Sequence, residues 1–212
     1  MINFSRNFPP FVEVWKVIRQ LEGENMKVKI QKSELDNILQ HTIDTVTNLK
    51  NDWGNQDDED MIKKAVNYLE WITLKTELVK NENTFTIPEE KKPFIKRSYV
   101  HWIHFGFNIG NEFGGHHPAV ILKVTGDSVF VLPLSSGKIP KKKKDKDYCV
   151  EIPYVQGLSP IPRWANVYRI TCVSVMRIDF TSKIGRLQGK YMNRINEAIE
   201  KSGLYRFFHK KY

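Results

Sequence analysis

His116 and His117 stand side by side directly before Pro118, at the head of the apolar run AVILKV. A residue that precedes proline is held in extended geometry, so His117 is presented rigidly where a strand begins. Imidazole titrates near neutral pH and suits proton transfer to or from a reacting oxygen. Successive strand residues face opposite ways, so only one of the two histidines serves any one site. Ser135 and Ser136 close another apolar run, SVFVLPL, where a hydroxyl either donates to an oxyanion or bonds the turn backbone. His101 and His104 lie three apart in YVHWIHF and should point to opposite faces, a poor arrangement for holding one metal ion between them. Both are read as core or surface histidines. No GxxxxGK, GxSxG, HExxH or CxxC pattern occurs, and the glycine-rich GFNIGNEFGG is not followed by a helical pattern that would make it a nucleotide cradle.

Charge narrows the partner. Residues 1–97 hold 15 basic and 16 acidic side chains, whereas residues 98–212 hold 18 basic and 8 acidic, a local net charge of +10. A basic half of this size calls for a polyanion, most often nucleic acid. Its densest element is KIPKKKKDKD, with Lys138, Lys141, Lys142, Lys143 and Lys144 between two strands. It reads as a solvated hairpin tip that would add salt-dependent phosphate attraction without reading sequence. Two cysteines in no metal-ligand spacing, no apolar run long enough for a membrane span and no signal-type N-terminus point to a cytoplasmic protein with no membrane association.

The elements that must position these groups fall into two classes. Residues 1–90 read as helical: one helix starting at Pro9–Pro10 with Phe11, Val14, Trp15, Ile18 and Leu21 on a stripe, and a second capped by Ser33 with Leu35, Ile38, Leu39, Thr42, Val46 and Leu49. A turn at NDWGNQDDED leads to a third over about 59–80, with Ile62, Val66, Leu69, Ile72 and Val79 on one side. The last two form a helical hairpin whose stripes are expected to pack as core. Residues 81–97 read as a linker with two prolines. Beyond it come short β-branched and aromatic runs at 99–105, 119–124, 128–134, 148–153 and 168–178, separated by glycine turns. A helix over about 187–202 follows, with Leu187, Met192, Ile195 and Ile199 inward and Gly203 as its stop, and then an aromatic and basic tail. The expected fold class is α+β: an N-terminal helical hairpin region, residues 1–90, followed by a small curved antiparallel β-barrel with a C-terminal helix, residues 91–212.

The stretch RSYVHWIHFGFNIGNEFGGHHPAVILK, residues 97–123, resembles the opening of the MazF/PemK (Kid) family of toxin endoribonucleases. In that family a hydrophobic strand leads to a Gly-Ser/Asn-Glu-x-x-Gly loop, then to Arg-Pro and an apolar strand. Here the loop is Gly110 to Gly115, with Glu112 at the acidic position, and the strand opens at Pro118. VFVLPLSSGK is similar to the family strand that ends in a Thr- or Ser-containing turn, and ITCVSVMRI, residues 170–178, resembles its third motif. Ile-Gly-Arg-Leu at 184–187 and a closing helix follow in the family order, so that the resemblance covers residues 97–200.

The resemblance implies a homodimeric curved barrel that binds single-stranded RNA (mRNA) near the dimer interface and a cognate antitoxin protein. It implies cleavage with no metal and no cofactor, by attack of the 2′-hydroxyl on the phosphate. The family's main catalytic pair falls on His117 and Ser135, with Ser136 a near alternative. Glu112, His116, Thr171, Arg177 and the lysine loop are expected to contact RNA. Two departures stand out: His117 replaces the catalytic arginine and Thr171 the first arginine of the third motif, while Arg177 keeps the second. Arginine gives a permanent charge and a bidentate fork that histidine lacks. The rival expectation is therefore a catalytically inactive barrel acting as a nucleic-acid or protein binding module.

Overall fold

The computed structural model describes residues 32–54, 58–144 and 146–204. The helix expected from Pro9 and the tail from residue 205 lie outside these residues. The chain divides into two compact units, residues 1–65 and 66–212.

Two helices open the described chain, α1 (Lys32–Gly54) and α2 (Glu59–Lys80). Helix α1 already includes Lys32, so Ser33 lies inside its first turn and is not its cap, and the helix runs through Gly54 where a turn was expected. Helix α2 is capped by Asp58, whose Oδ1 accepts from the backbone N–H of Asp60 at 2.9 Å. The expected burial of the helical stripes does not hold. Leu35, Leu39, Ile62, Val66 and Val79 are exposed, and Ala65 is the buried residue of α2. Periodicity fixes which side of a helix is apolar; it does not supply the surface that covers it.

The second unit is a curled antiparallel sheet closed on one side by a helix. Its strands are β1 (Tyr99–Gly106), β2 (Gly115–Thr125), β3 (Ser128–Ser136), β4 (Cys149–Ile152), β5 (Arg163–Asn166), β6 (Thr171–Ser174) and β7 (Gly185–Arg186), followed by helix α3 (Gly189–Lys201). Strand order is β4-β5-β3-β2-β1-β7, with β6 paired to β3 as well. Strand β3 thus serves two sheets: Ser128 to Val131 pair with β6, and Leu134 to Ser136 pair with β5. This change of partner along one strand curls the sheet. Gly126–Asp127 makes the two-residue hairpin between β2 and β3, with Gly126 at φ +59°.

Both faces of the central strands are buried, in alternation. Val100, Val120, Leu132 and Leu134 pack under α3 with Leu187, Met192 and Ile195. Ile103, Ala119, Ile121, Val129 and Val131 pack on the other side with Val173, Val175 and Ile178. The expected strands at 99–105, 119–124, 128–134 and 148–153 and the closing helix form. The run 168–178 does not form one strand: 3-10 turns Val167–Arg169 and Val175–Arg177 flank the four residues of β6. Asn166 and Ser174 cap these turns by accepting from Tyr168 N and Met176 N, and this local bonding competes with a continuous ladder. Strand β5 went unrecognised because it is short and carries a buried arginine, Arg163, whose guanidinium is fed to Ser159 and Ile161 carbonyls at 3.1 and 2.9 Å.

His101 is 1% exposed, and its Nε2 donates to the Phe94 carbonyl at 2.9 Å. Burial pulls its pKa below the ordinary 6.5, and nearby Lys91 acts the same way. The unfolded chain therefore takes up a proton near pH 6.5 that the folded site refuses. Stability should be level in this respect above pH 6.5 and fall as pH drops below it. In urea titrations across this range, His101→Gln should flatten the slope relative to the parent.

Candidate active site

Loop 107–114, between β1 and β2, and the segment after β5 form the walls of a groove of about 660 Å³, lined among others by Phe105, Glu112, Phe113, Arg169, Thr171 and Arg177. The loop is fixed from within. Asn108 Nδ2 donates to the Phe113 carbonyl at 2.6 Å, and Gly114 sits so close to the Gly106 carbonyl that a Cβ there would lie 2.6 Å from its oxygen. Phe113 packs edge-on against Phe105, with ring centroids 5.1 Å apart. The Arg169 guanidinium lies over the outer face of Phe113, 4.9 Å from the centroid.

His117 stands behind this wall, against Phe113, and does not itself line the groove. Its ring lies 4.9 Å from Phe113 and is half-buried. Burial lowers its pKa first, and His116 and Arg169 lower it further. A neutral imidazole, the form that accepts a proton, is thereby favoured beside a permanent cation. Gly115, at φ +84°, leaves room for the ring: a Cβ there would lie 3.2 Å from His117 Nε2.

His116 faces the other way, as the strand alternation requires. It stacks on His104 with centroids 4.3 Å apart, packs against Trp102 at 5.0 Å, and its Nε2 lies 3.3 Å from Asp179 Oδ2. His101 and His104 do point to opposite faces; the cross-strand partner of His104 is His116. Burial pushes the Asp179 carboxyl up, but hydrogen bonds from Ser182 and Thr181 with His116 alongside outweigh it and hold the pKa at about 2.

The PemK-like, MazF-like toxin family of type II toxin–antitoxin systems matches residues 96–202. The chain belongs to this family. Its fold is similar to that of three solved MazF structures. The Mycobacterium tuberculosis toxin MazF-mt6 is 17% identical, over 53% of this chain and 98% of that one, with a TM-score of 0.36. A MazE–MazF structure from Deinococcus radiodurans is 16% identical over 54% and 96%, with a TM-score of 0.37. MazF from the same organism is 19% identical over 53% and 96%, with a TM-score of 0.36. No curated protein matches the chain. The family's members are usually endoribonucleases.

The remaining expected residues of this MazF-like chain are dispersed. Ser135 lies opposite Trp164 and Ser136 opposite Arg163 in the β3–β5 ladder. The β2–β3 register, with Ala119 opposite Pro133, would set Ser135 opposite His117 two residues on, although the ladder ends before that point. Glu112 and Thr171 line the groove. Arg177 lines it too, but its Nη1 is committed to the carbonyls of Phe105 at 3.1 Å and His104 at 3.4 Å, and its guanidinium lies over Trp71. Lys138 and Lys141 to Lys144 are not part of the groove wall; Lys143 lies over Trp164, across the ladder from Ser135. Lys144 instead borders a second hollow of about 310 Å³ with Arg194 and Lys201.

The residue missed in the sequence is Arg169. Reading 168–178 as one strand set the third motif on Thr171, whereas the arginine on the turn two positions earlier is the one beside Phe113 and His117. The available signal was Asn166, a capping residue type that marks a turn just before Arg169.

Gly115→Ala should strain the left-handed backbone and press on the His117 ring. The expected cost is about 1–2 kcal/mol in chemical denaturation. It should come with displaced His117 ring signals in a proton–nitrogen NMR spectrum, and with unmoved signals for His101.

Proposed function

We propose that this chain is the metal-independent endoribonuclease toxin of a toxin–antitoxin pair, cutting single-stranded mRNA in the cytoplasm. The observation that carries the reading is His117: it stands where the family has its arginine before proline, and its ring packs on Phe113, the groove residue over which Arg169 lies. RNA lies along the groove with a phosphate beside Arg169. His117 accepts the proton of the neighbouring 2′-hydroxyl, whose oxygen attacks phosphorus. The bond from phosphorus to the 5′-oxygen breaks, leaving a 2′,3′-cyclic phosphate, and the departing oxygen takes a proton from water in the open groove. Arg169 supplies the permanent charge that the phosphorane requires and that imidazole lacks, and Ser135 donates to a phosphate oxygen. Ser136, Glu112, His116, Thr171 and Arg177 border the strand or hold the wall, and the lysine loop gathers RNA.

Membership of a toxin family of type II toxin–antitoxin systems supports an antitoxin partner and a homodimer for this chain. Residues 91–212 are the barrel domain on this reading. The N-terminal domain expected over residues 1–90 serves contacts with the second protomer or a regulator. Among the described residues no helix is long and apolar enough to cross a membrane. The replaced arginine favours a second reading, an inactive barrel that only binds nucleic acid or protein.

One experiment separates the two. A long single-stranded RNA is incubated with the protein in excess EDTA, and the fragment ends are mapped. The enzyme reading expects discrete fragments with 5′-hydroxyl ends, reduced about 100- to 10,000-fold by His117→Ala and about 100- to 1,000-fold by Arg169→Ala. Intact RNA with salt-sensitive retention on a gel would sink it and leave the binding module. Fragments made equally by parent and His117→Ala would keep the nuclease and remove His117 from its mechanism. Separately, replacing Lys141, Lys142, Lys143 and Lys144 together with alanine should weaken RNA binding and flatten its salt dependence by about 0.7 log units per lost phosphate contact. The cleavage positions should not change.

A further inference from the structure

On the face of β1 and β2 turned away from His117, three potential ligand atoms converge. His104 and His116 are directly opposed in the β1–β2 ladder, which brings their Cβ atoms within about 5 Å. Asp179 is fixed to the same strand because its backbone N–H donates to the Trp102 carbonyl at 2.8 Å. One ring nitrogen from each histidine and one Asp179 oxygen all lie within 4.8 Å of one another.

We propose that His104, His116 and Asp179 bind a zinc ion. Two imidazoles and a carboxylate are a zinc donor set, with the fourth position left to water. A tetrahedral ion with bonds of about 2.0–2.1 Å holds its ligand atoms about 3.3 Å apart. His116 Nε2 and Asp179 Oδ2 are already 3.3 Å apart, and the His104 nitrogen lies within 4.8 Å of both. The supporting groups are present as well. Oδ1 of Asp179 accepts from the Thr181 N–H and Oγ1 at 2.9 and 2.6 Å, and Oδ2 accepts from Ser182 Oγ at 2.6 Å. Such bonds orient a ligating carboxylate and keep its remaining lone pair on the ion. The exposed edge of His116 gives the ion a path in from solvent.

The ion would act on the groove from behind. His104 and His116 flank loop 107–114, and Asp179 follows the turn that carries Arg177. One ion would therefore pin both walls without entering the reaction, which is why it goes beyond the cleavage reading and stands apart from it.

The test is calorimetric titration of zinc chloride into the full chain, stripped by chelator and free of any histidine tag. Cobalt(II) serves as a spectroscopic probe. One ion per chain is expected, with a dissociation constant of about 1 μM or tighter. Visible cobalt bands of tetrahedral intensity and a rise in Tm with added zinc should accompany it. His104→Ala and Asp179→Asn should each weaken binding at least about tenfold. Two variants on different segments keep the test intact if one fails to fold. No binding, binding that survives both substitutions, or binding lost instead with Cys149→Ser or Cys172→Ser would overturn the site. None of these outcomes depends on RNA cleavage, which is read in EDTA.

Discussion

The pleat of β2 is the constraint on which the rest depends. Ala119 and Ile121 enter one core and Val120 the other, and each is fully buried. Neither face can be given up, so the register is locked: a one-residue slip would move every side chain of the strand to the wrong side. The same alternation continues toward the strand's start. It delivers His117 to the groove side with Phe113 and His116 to the side of His104 and Asp179. Core packing of small and branched residues thus decides which imidazole meets which chemistry.

That separation also sorts the charges. Asp179 stands on the His116 face and is satisfied there by Ser182 and Thr181. Among the described residues, Arg169 and Arg177 have no carboxylate partner. The groove keeps two guanidinium groups against one carboxylate of its own, Glu112. A cation without an internal counter-ion, laid over an aromatic face, remains available to an incoming phosphate.

Much of the fold was legible in the sequence because local chemistry and burial agreed. The alternating runs at 99–105 and 128–134 became strands with both faces buried, and Gly203 at φ +69° ends α3 as a stop should. The departures occur where a capping side chain or a missing surface outweighed periodicity. Asn166 and Ser174 turned an apparent strand into two tight turns, and Leu35 and Leu39 keep an apolar spacing while exposed. The placement of His117 at the start of β2 was legible, because the proline after it restricts the backbone. It was not legible at Arg169, whose distance from His117 in sequence is bridged only by the curl of β3 onto β5 and by Phe113. The pairing of His104 with His116 required the β1–β2 register, which loop 107–114 conceals from any reading by spacing.

On the proposed cleavage reading, a histidine at position 117 in place of the family's arginine removes one function and adds another. A guanidinium at position 117 would hold charge and orient the phosphate but would give up a proton poorly, since its pKa lies far above neutrality. An imidazole there can move the proton but cannot hold the charge once neutral. The two demands are met together only if a second cation stands within reach of the same phosphate. On that reading Arg169, whose guanidinium lies over Phe113 as the His117 ring packs against it, is the second cation, on a turn that two capping hydrogen bonds and the β5 ladder hold in place. Both groups lie 4.9 Å from the Phe113 ring, and Arg169 adds to the lowering of the imidazole pKa that burial and His116 begin. The proposed mechanism thus divides between two side chains the work that a single arginine and a distant base would otherwise share. It also favours glycine at position 115, where the backbone is left-handed and a Cβ would lie 3.2 Å from the imidazole.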